Sequence, residues 1–160
     1  MTDRTAGTPG PALALPWLAR FEVDVGPVRS LGVMAGGERR VVPITGGRAI
    51  GAPAGSIEAG GADWQWVRTD GITEIEAHYM VRTDAGETVE VTSRGYRHGP
   101  ADVLARLAAG EGVDPALYYF RTAVTFRTAA AAFARLNGLI ALAVGERRPG
   151  AVRLEIYELR

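Results

Sequence analysis

The sequence predicts an all-β fold: a calycin-like antiparallel barrel of roughly eight to ten strands with one or two short helices. Three observations favour this fold. Short runs alternate apolar and polar residues, as strands with one buried face do. Turn signals recur about every ten residues. The segment 46–64 is so rich in glycine that a helix is excluded there. A barrel is preferred to an open sandwich because closure hides the strand edges.

The first elements follow from composition and alternation. Residues 1–13 are rich in Gly, Pro and Thr and predict a flexible tail, followed by a single domain over 14–160. The run "LARFEVDVG" (18–26) alternates in the manner of a strand. The run "RRVVPITGG" (39–47) predicts a second strand, in which Pro43 indicates an edge or a bulge.

A three-stranded meander is the clearest element of the sequence. Two turn segments, "TDG" at 69–71 and "TDAG" at 83–86, separate three alternating runs. Because side chains alternate between the two faces of a strand, the middle run places its more apolar set on the inner face. That set is Thr73, Ile75, Ala77, Tyr79 and Val81.

In the C-terminal third the spacing of apolar residues changes between the strand and the helix pattern. "PADVLARLAAG" (100–110) has a helical stripe, with Pro at its start and Gly at its end. Residues 116–128 return to a strand pattern, and "AAAAFARLNG" (129–138) predicts a short helix with an Asn-Gly stop. "LIALAVG" and "AVRLEIYELR", joined by "ERRPG", predict a closing hairpin.

Composition excludes several function classes. The 18 basic residues are all arginine and balance 18 acidic residues, which argues against a nucleic-acid partner and rules out lysine chemistry. The chain has no cysteine and only two histidines, so we expect neither a metal nor another cofactor. No apolar run is long enough to span a membrane, and a signal peptide's order of segments is missing. We therefore expect a cytoplasmic protein without a membrane partner.

Several segments together resemble a known family. They are "GERRVVPITGGRAIG", "GAPAGSIEAGGADWQ", "EAHYMVRTDAGETVEVTSRG", "YYFRTAVTFRT" and "FARLNGLIALAVGERR". In this order they look like the bacterial and fungal domain-of-unknown-function family 3237, also called uncharacterised protein family 0311. The resemblance covers about residues 17 to 160. It implies a small, compact antiparallel β-barrel and brings no settled activity, because the family is named for lacking one.

The stretch "GGADWQW" (60–66) contains the first candidate residue, Asp63. One interpretation is a turn in which Asp63 accepts hydrogen bonds from nearby backbone N–H groups while Trp64 fills the core. The other places Asp63 at the rim of the barrel as a general base, with a pKa raised by the neighbouring indole. Trp64 and Trp66 share one face of their strand, and we expect them to wall a ligand pocket.

Arg121 is the second candidate, in the strand "YYFRTAVTF". Residue type favours a solvated Arg121, whereas the resemblance of "YFRT" to the family favours an inward arginine paired with Asp63. An inward Arg121 beside Tyr119 would suit an anionic group such as a carboxylate or an enolate. We expect Tyr119 and Phe120 to contact the ligand.

Tyr79 is either a core tyrosine or a hydrogen-bond donor into a cavity. On the opposite face of the same strand, His78 and Glu76 are neighbours that could form a base and its orienting partner, although a wet outer face is the commoner arrangement. His98 lies in a predicted turn, where a loop histidine at the barrel mouth could act as an acid or a base.

We predict an enzyme that performs cofactor-free acid/base chemistry on a hydrophobic small molecule, of the cyclase, isomerase or lyase type. Asp63 would be the base or orienter, and Tyr79 and Arg121 would hold a developing oxyanion. By analogy, the arginine-only composition suggests a GC-rich bacterial genome and a place in secondary metabolism. The alternative is a non-catalytic carrier or sensor with the same pocket. Strand pairing between two copies would also permit a homodimer.

Overall fold

Ten antiparallel strands and one α-helix make up most of residues 10–160, the part of the chain that the computed structural model describes. The helix α1 is Ala101–Ala108, and short 3-10 segments cover Pro115–Leu117 and Ala131–Gly138. The strands are β1 Trp17–Val25, β2 Arg29–Met34, β3 Gly37–Gly51, β4 Gly55–Ile57, β5 Ala62–Arg68, β6 Thr73–Thr83, β7 Thr88–His98, β8 Tyr119–Thr128, β9 Ala141–Arg148 and β10 Ala151–Glu158.

The strands close into a ring, which confirms the predicted barrel. The ring runs β1-β10-β9-β8-β7-β6, continues through β4 and β5 to β3, and closes where β3 pairs with β1. β4 and β5 together fill one position of the ring, because each of them pairs with β3 on one side and with β6 on the other. The barrel therefore has eight positions. β2 pairs with β3 and projects beside the ring.

Pro43 corrects the expectation of an edge strand, whereas a register shift of the kind a bulge makes lies beside it, between Ile44 and Gly46 in the pairing with β1. β3 is a central strand, with β5 along one side. On its other side, residues 37–41 pair with β2 and residues 44–51 pair with β1. Pro43 falls between these two partners, where the missing N–H costs no ladder hydrogen bond. The proline thus marks the point at which β3 changes neighbours.

The meander and the helical segments agree with the sequence pattern. β5, β6 and β7 pair in order, and the inner face of β6 is the one predicted, with Tyr79 and Val81 buried. α1 lies within the predicted 100–110, and 131–138 forms a 3-10 segment. Residues 1–9 of the predicted tail lie outside the described residues. Ala14 already exchanges backbone hydrogen bonds of 2.8 and 2.9 Å with Arg160.

The two ends of the barrel differ in how they are filled. Apolar side chains pack the end where β8 gives way to 131–138, with Phe21, Leu136 and Ile156 fully buried. α1 lies across the other end, where Val103 and Leu107 pack against Tyr118 and Phe120. Among residues 10–160, none of the helical segments has the length and apolar character required to cross a bilayer.

Candidate functional site

A cavity lies inside the barrel on the α1 side. Its volume is about 40 Å³, which is room for about three water molecules. Most of its wall is apolar and comes from β1, β3, β6 and β10. The polar side chains on the wall are Asp63, Gln65, Tyr79, Ser93, Arg97, Thr122 and Arg147. A largely apolar wall with a few convergent polar groups is typical of small-molecule sites.

The glycines of "GGADW" place Asp63 on this wall. Gly60 has φ +106°, a conformation that favours glycine. Gly61 lies against Tyr79, where an added Cβ would come within 2.5 Å of the tyrosine Cβ. This close approach lets the chain enter β5 directly beside β6. Asp63 then points inward while Trp64 points outward, because adjacent strand residues alternate.

Asp63 is held by two hydrogen bonds. The Gln65 side-chain amide donates to Oδ2 at 2.6 Å, and the backbone N–H of Glu76 donates to Oδ1 at 3.2 Å. Burial raises the pKa of the Asp63 carboxyl above its usual value, and it outweighs the hydrogen bond from Gln65 and the attraction to Arg97. Asp63 thus lies within β5 rather than in a turn, and Trp64 does not fill the core; the carboxylate still accepts a backbone hydrogen bond, and it faces the cavity.

Tyr79 contributes an unused hydroxyl to the same wall. Its side chain is buried, edge-on to Phe21 at a ring distance of 6.4 Å. Its hydroxyl is buried without a hydrogen-bond partner among the described residues. Burial, with a contribution from Asp63, raises the pKa of Tyr79 far above its usual value, so the hydroxyl stays neutral and can donate.

Arg97 and Arg147 lie where the cavity opens toward α1. A second, wider cavity of about 610 Å³ extends from them beneath the helix. The two cavities share Val42, Gln65, Arg97 and Arg147. Burial lowers the pKa of both guanidinium groups, and the pKa of Arg97 is lowered further by Arg147. We call the wider cavity the mouth and the smaller one the inner cavity.

The structure does not bring Arg121 to Asp63, which corrects that expected pairing. Arg121 is exposed on the outside of β8, where it donates to the Phe120 carbonyl at 2.9 Å and lies 5.3 Å from the ring of Tyr119. Tyr119 is also outside, stacked on His98 at 4.7 Å. Strand alternation explains the result, because Phe120 and Thr122 face inward and their neighbours therefore face solvent.

Trp64 and Trp66 share a face, as predicted, but that face is the outer one. Both line a surface groove, and Arg39 lies 5.4 Å from the Trp64 ring. They therefore do not wall the cavity that holds Asp63. Phe120 does line the inner cavity, with Arg97 lying 5.7 Å from its ring.

The histidines lie outside as well. His78 faces Glu90 across the outer surface at 3.3 Å, and Glu76 pairs with Arg94 at 2.8 Å. The anticipated wet outer face of β6 is therefore what the structure has. His98 is exposed at the end of β7, stacked on Tyr119.

Arg97 and Arg147 are the polar residues that sequence reasoning missed. The sequence could have revealed them, because the alternation of inward and outward residues continues along each strand beyond its apolar residues. On β7 the inward series Val89, Val91 and Ser93 reaches Arg97, and on β9 the inward series Ala141, Ala143 and Gly145 reaches Arg147. Every second residue of each strand faces inward, and each arginine is the last inward-facing residue near the end of the barrel.

Comparison with known proteins places the chain among barrels of the same shape. Residues 13–159 match the family described as "Protein of unknown function (DUF3237)". The UPF0311 protein blr7842 of Bradyrhizobium diazoefficiens is 34% identical over 93% of this chain and 98% of its own length. A crystal structure of a beta-barrel like protein from Acinetobacter baumannii is 39% identical, with a TM-score of 0.82 over 95% of this chain and 99% of that one. A structure described as an enzyme from Penicillium herquei is 18% identical, with a TM-score of 0.72 over 96% and 99%, and at this identity it shows the shared fold alone.

Proposed function

The chain belongs to the family described as Protein of unknown function (DUF3237), and for it we propose cofactor-free acid/base catalysis on a hydrophobic small molecule bound in the barrel. Cyclisation, isomerisation and elimination are the reaction types that such a site would serve. Each of them begins or ends with a proton transfer, which a positioned carboxyl group can perform.

One observation carries the proposal: a carboxyl group with a raised pKa on the wall of a largely apolar cavity. A carboxylate in water is a weak base because its conjugate acid loses its proton near pH 4. Burial raises the pKa of Asp63 in the direction of neutral pH, and general acids and bases work best when their pKa is near the working pH. The hydrogen bonds from Gln65 and Glu76 fix the carboxyl group so that its position is set before a substrate arrives.

Two further groups would stabilise the charge that forms when Asp63 removes a proton. The neutral hydroxyl of Tyr79 has no protein partner to lose among the described residues and can donate to an oxyanion. Arg97, rather than the exposed Arg121, supplies the positive charge on the same cavity wall. The likeness to a structure described as an enzyme is compatible with this proposal and adds the fold alone.

The proposal is tested by hydrogen exchange on a simple ketone. We expect the protein to accelerate the exchange of the acidic C–H protons of 2-tetralone in D₂O, followed by NMR. Asp63→Asn removes the base and keeps the shape, so the acceleration should fall by about a hundredfold or more. The rate should rise with pH through the raised pKa of Asp63, because only the ionised carboxyl accepts a proton.

Asp84→Asn is the matched control. Asp84 lies in the exposed turn between β6 and β7, where it pairs with Arg48 at 3.4 Å. The same chemical change at this position should leave exchange unaltered. Equal exchange rates for the Asp63 and Asp84 variants would show that Asp63 is not the base.

A further inference from the structure

Arg97 and Arg147 stand out because no described residue neutralises them directly. Neither takes part in any ion pair within 4.0 Å among residues 10–160. Both face the inner cavity and the mouth, and burial acts on the pKa of each. Both arginines are partly buried, and a guanidinium group that loses water gains from a paired anion, so this pair suits a negative partner.

The charges that line the two cavities do not balance. They comprise three guanidinium groups, Arg40, Arg97 and Arg147, and two carboxylates, Glu38 and Asp63. Glu38 and Arg40 neutralise each other through a 2.7 Å salt bridge at the mouth. The single Asp63 carboxylate therefore faces two arginines, so a positive charge is left uncompensated even when Asp63 is ionised.

We propose that the substrate is an organic anion whose negatively charged head group lies between Arg97 and Arg147, with its apolar body in the mouth beneath α1. This inference rests on the proposed function of the cavity and names the substrate class for it. The head group is a carboxylate, phenolate or enolate, since a planar oxygen anion accepts hydrogen bonds from guanidinium groups.

The dimensions and walls of the two cavities fit this division of the ligand. The inner cavity, about 40 Å³, has room for a small polar group and not for an organic skeleton. The mouth, about 610 Å³, can hold the skeleton. Val28, Val42, Val67, Leu104 and Leu107 give it apolar walls.

The unpartnered hydroxyl of Tyr79 independently indicates a ligand acceptor. Among the described residues it has no partner, it is buried on the wall of the inner cavity, and it has a hydrogen to donate. An anionic oxygen that reaches past the arginines would accept that hydrogen bond and satisfy the group. The aromatic ring of Phe120, under the Arg97 guanidinium, helps to hold the arginine toward the cavity.

A pair of isosteric probes separates charge from shape. We expect isothermal titration calorimetry to show that 2-naphthoate binds at least tenfold more tightly than the neutral 2-naphthamide. Arg97→Met and Arg147→Met should each weaken 2-naphthoate binding by about tenfold to a hundredfold and leave 2-naphthamide little changed. Arg121→Met, which removes an exposed arginine from the outer face, is the matched control and should change neither affinity.

Asp63→Asn distinguishes this inference from the proposed function. The substitution removes a negative charge near the arginines, so 2-naphthoate should bind more tightly to the variant even though proton exchange is lost. If exchange survives in Asp63→Asn while the arginine variants lose 2-naphthoate, the catalytic proposal fails and the anion site stands. Equal affinities for acid and amide, or unchanged binding in both arginine variants, would overturn the anion site. A normal thermal unfolding transition for each variant shows that lost binding is not lost folding.

Discussion

Glu158 and Asp63 are each a carboxylate influenced by two arginines, at opposite ends of the barrel, and their pKa values move in opposite directions. β10 runs from Val152 and Leu154 on the cavity wall to Glu158 at the far end. There, Arg135 and Arg160 donate directly to Glu158 Oε2 at 2.8 and 3.0 Å. These contacts lower the pKa of Glu158 to about 2.

Asp63 receives its hydrogen bonds from an amide and a backbone N–H instead. Arg97 and Arg147 attract it without an ion-pair contact, and burial dominates, so its pKa rises. The difference teaches that neighbouring arginines do not by themselves fix a carboxylate in its charged form. Direct guanidinium contact does so at Glu158, whereas desolvation on the largely apolar cavity wall raises the pKa of Asp63.

Enlarging the inner cavity should lower the pKa of Asp63 and so shift it in the direction seen at Glu158. Ile75 is buried on the cavity wall, and Ile75→Ala would enlarge a space that already holds polar groups and so admit water. We expect a loss of about 2–5 kcal/mol in the free energy of unfolding and a fall in the pKa of Asp63 toward 3.8. Denaturant unfolding and an NMR titration of the carboxyl carbon measure the two effects.

Ile156→Ala is the control for that experiment. Ile156 is fully buried on β10, in the core cluster, and does not line the inner cavity. It should cost a comparable free energy of unfolding and leave the pKa of Asp63 where it is. A change of equal size in both variants would mean that general loosening, rather than local hydration, sets the pKa.

The stability of Asp63→Asn relative to the wild type should depend on pH. The native carboxyl binds its proton more tightly than the unfolded chain does. The wild type therefore loses free energy of unfolding as pH rises from 3.8 to the higher native pKa, by about 1.4 kcal/mol for each pH unit between these two values. The variant lacks this loss. Denaturant unfolding of both proteins between pH 3 and about 8 measures the difference, and parallel curves would contradict the raised pKa.

Glu158→Gln should show the opposite dependence on pH. Because the native pKa of Glu158 is about 2, compared with 4.5 in the unfolded chain, its contribution is complete above pH 4.5 and is lost as pH falls toward 2. The stability difference between the wild type and the variant should therefore be largest above pH 4.5 and shrink progressively toward pH 2. The effect should shrink in 1 M salt because both arginines are exposed, and an effect that is insensitive to salt would contradict this.

Much of the fold could be predicted from the sequence because period-two alternation is a local property. The meander, its inner face with Tyr79, helix α1 and the closing hairpin all follow from spacing and turn residues. The family resemblance is confirmed as well. Pro43 misled because a proline between two pairing partners looks the same in sequence as a proline on an edge.

The site was harder to predict because it depends on which face is inside. Asp63 and Trp64 are adjacent and so cannot both face the lumen, yet the sequence does not say which one does. Residue type favours burying the tryptophan, whereas the structure exposes Trp64 and turns the carboxylate toward the inner cavity. The resemblance of "YFRT" to the family pointed to Arg121 as the arginine of the site. The alternation of inward and outward residues along β7 instead places Arg97 on the inner face.

The outward tryptophans have a spectroscopic consequence. All three, Trp17, Trp64 and Trp66, lie in the described part of the chain, and none lines the inner cavity or the mouth. Trp17 donates to Glu155 at 3.0 Å on the outer surface, and the other two line the surface groove beside Arg39. A ligand that enters the lumen and does not absorb at the wavelengths of tryptophan emission will leave that emission nearly constant. A small molecule that quenches it by contact is bound on the outside of the barrel.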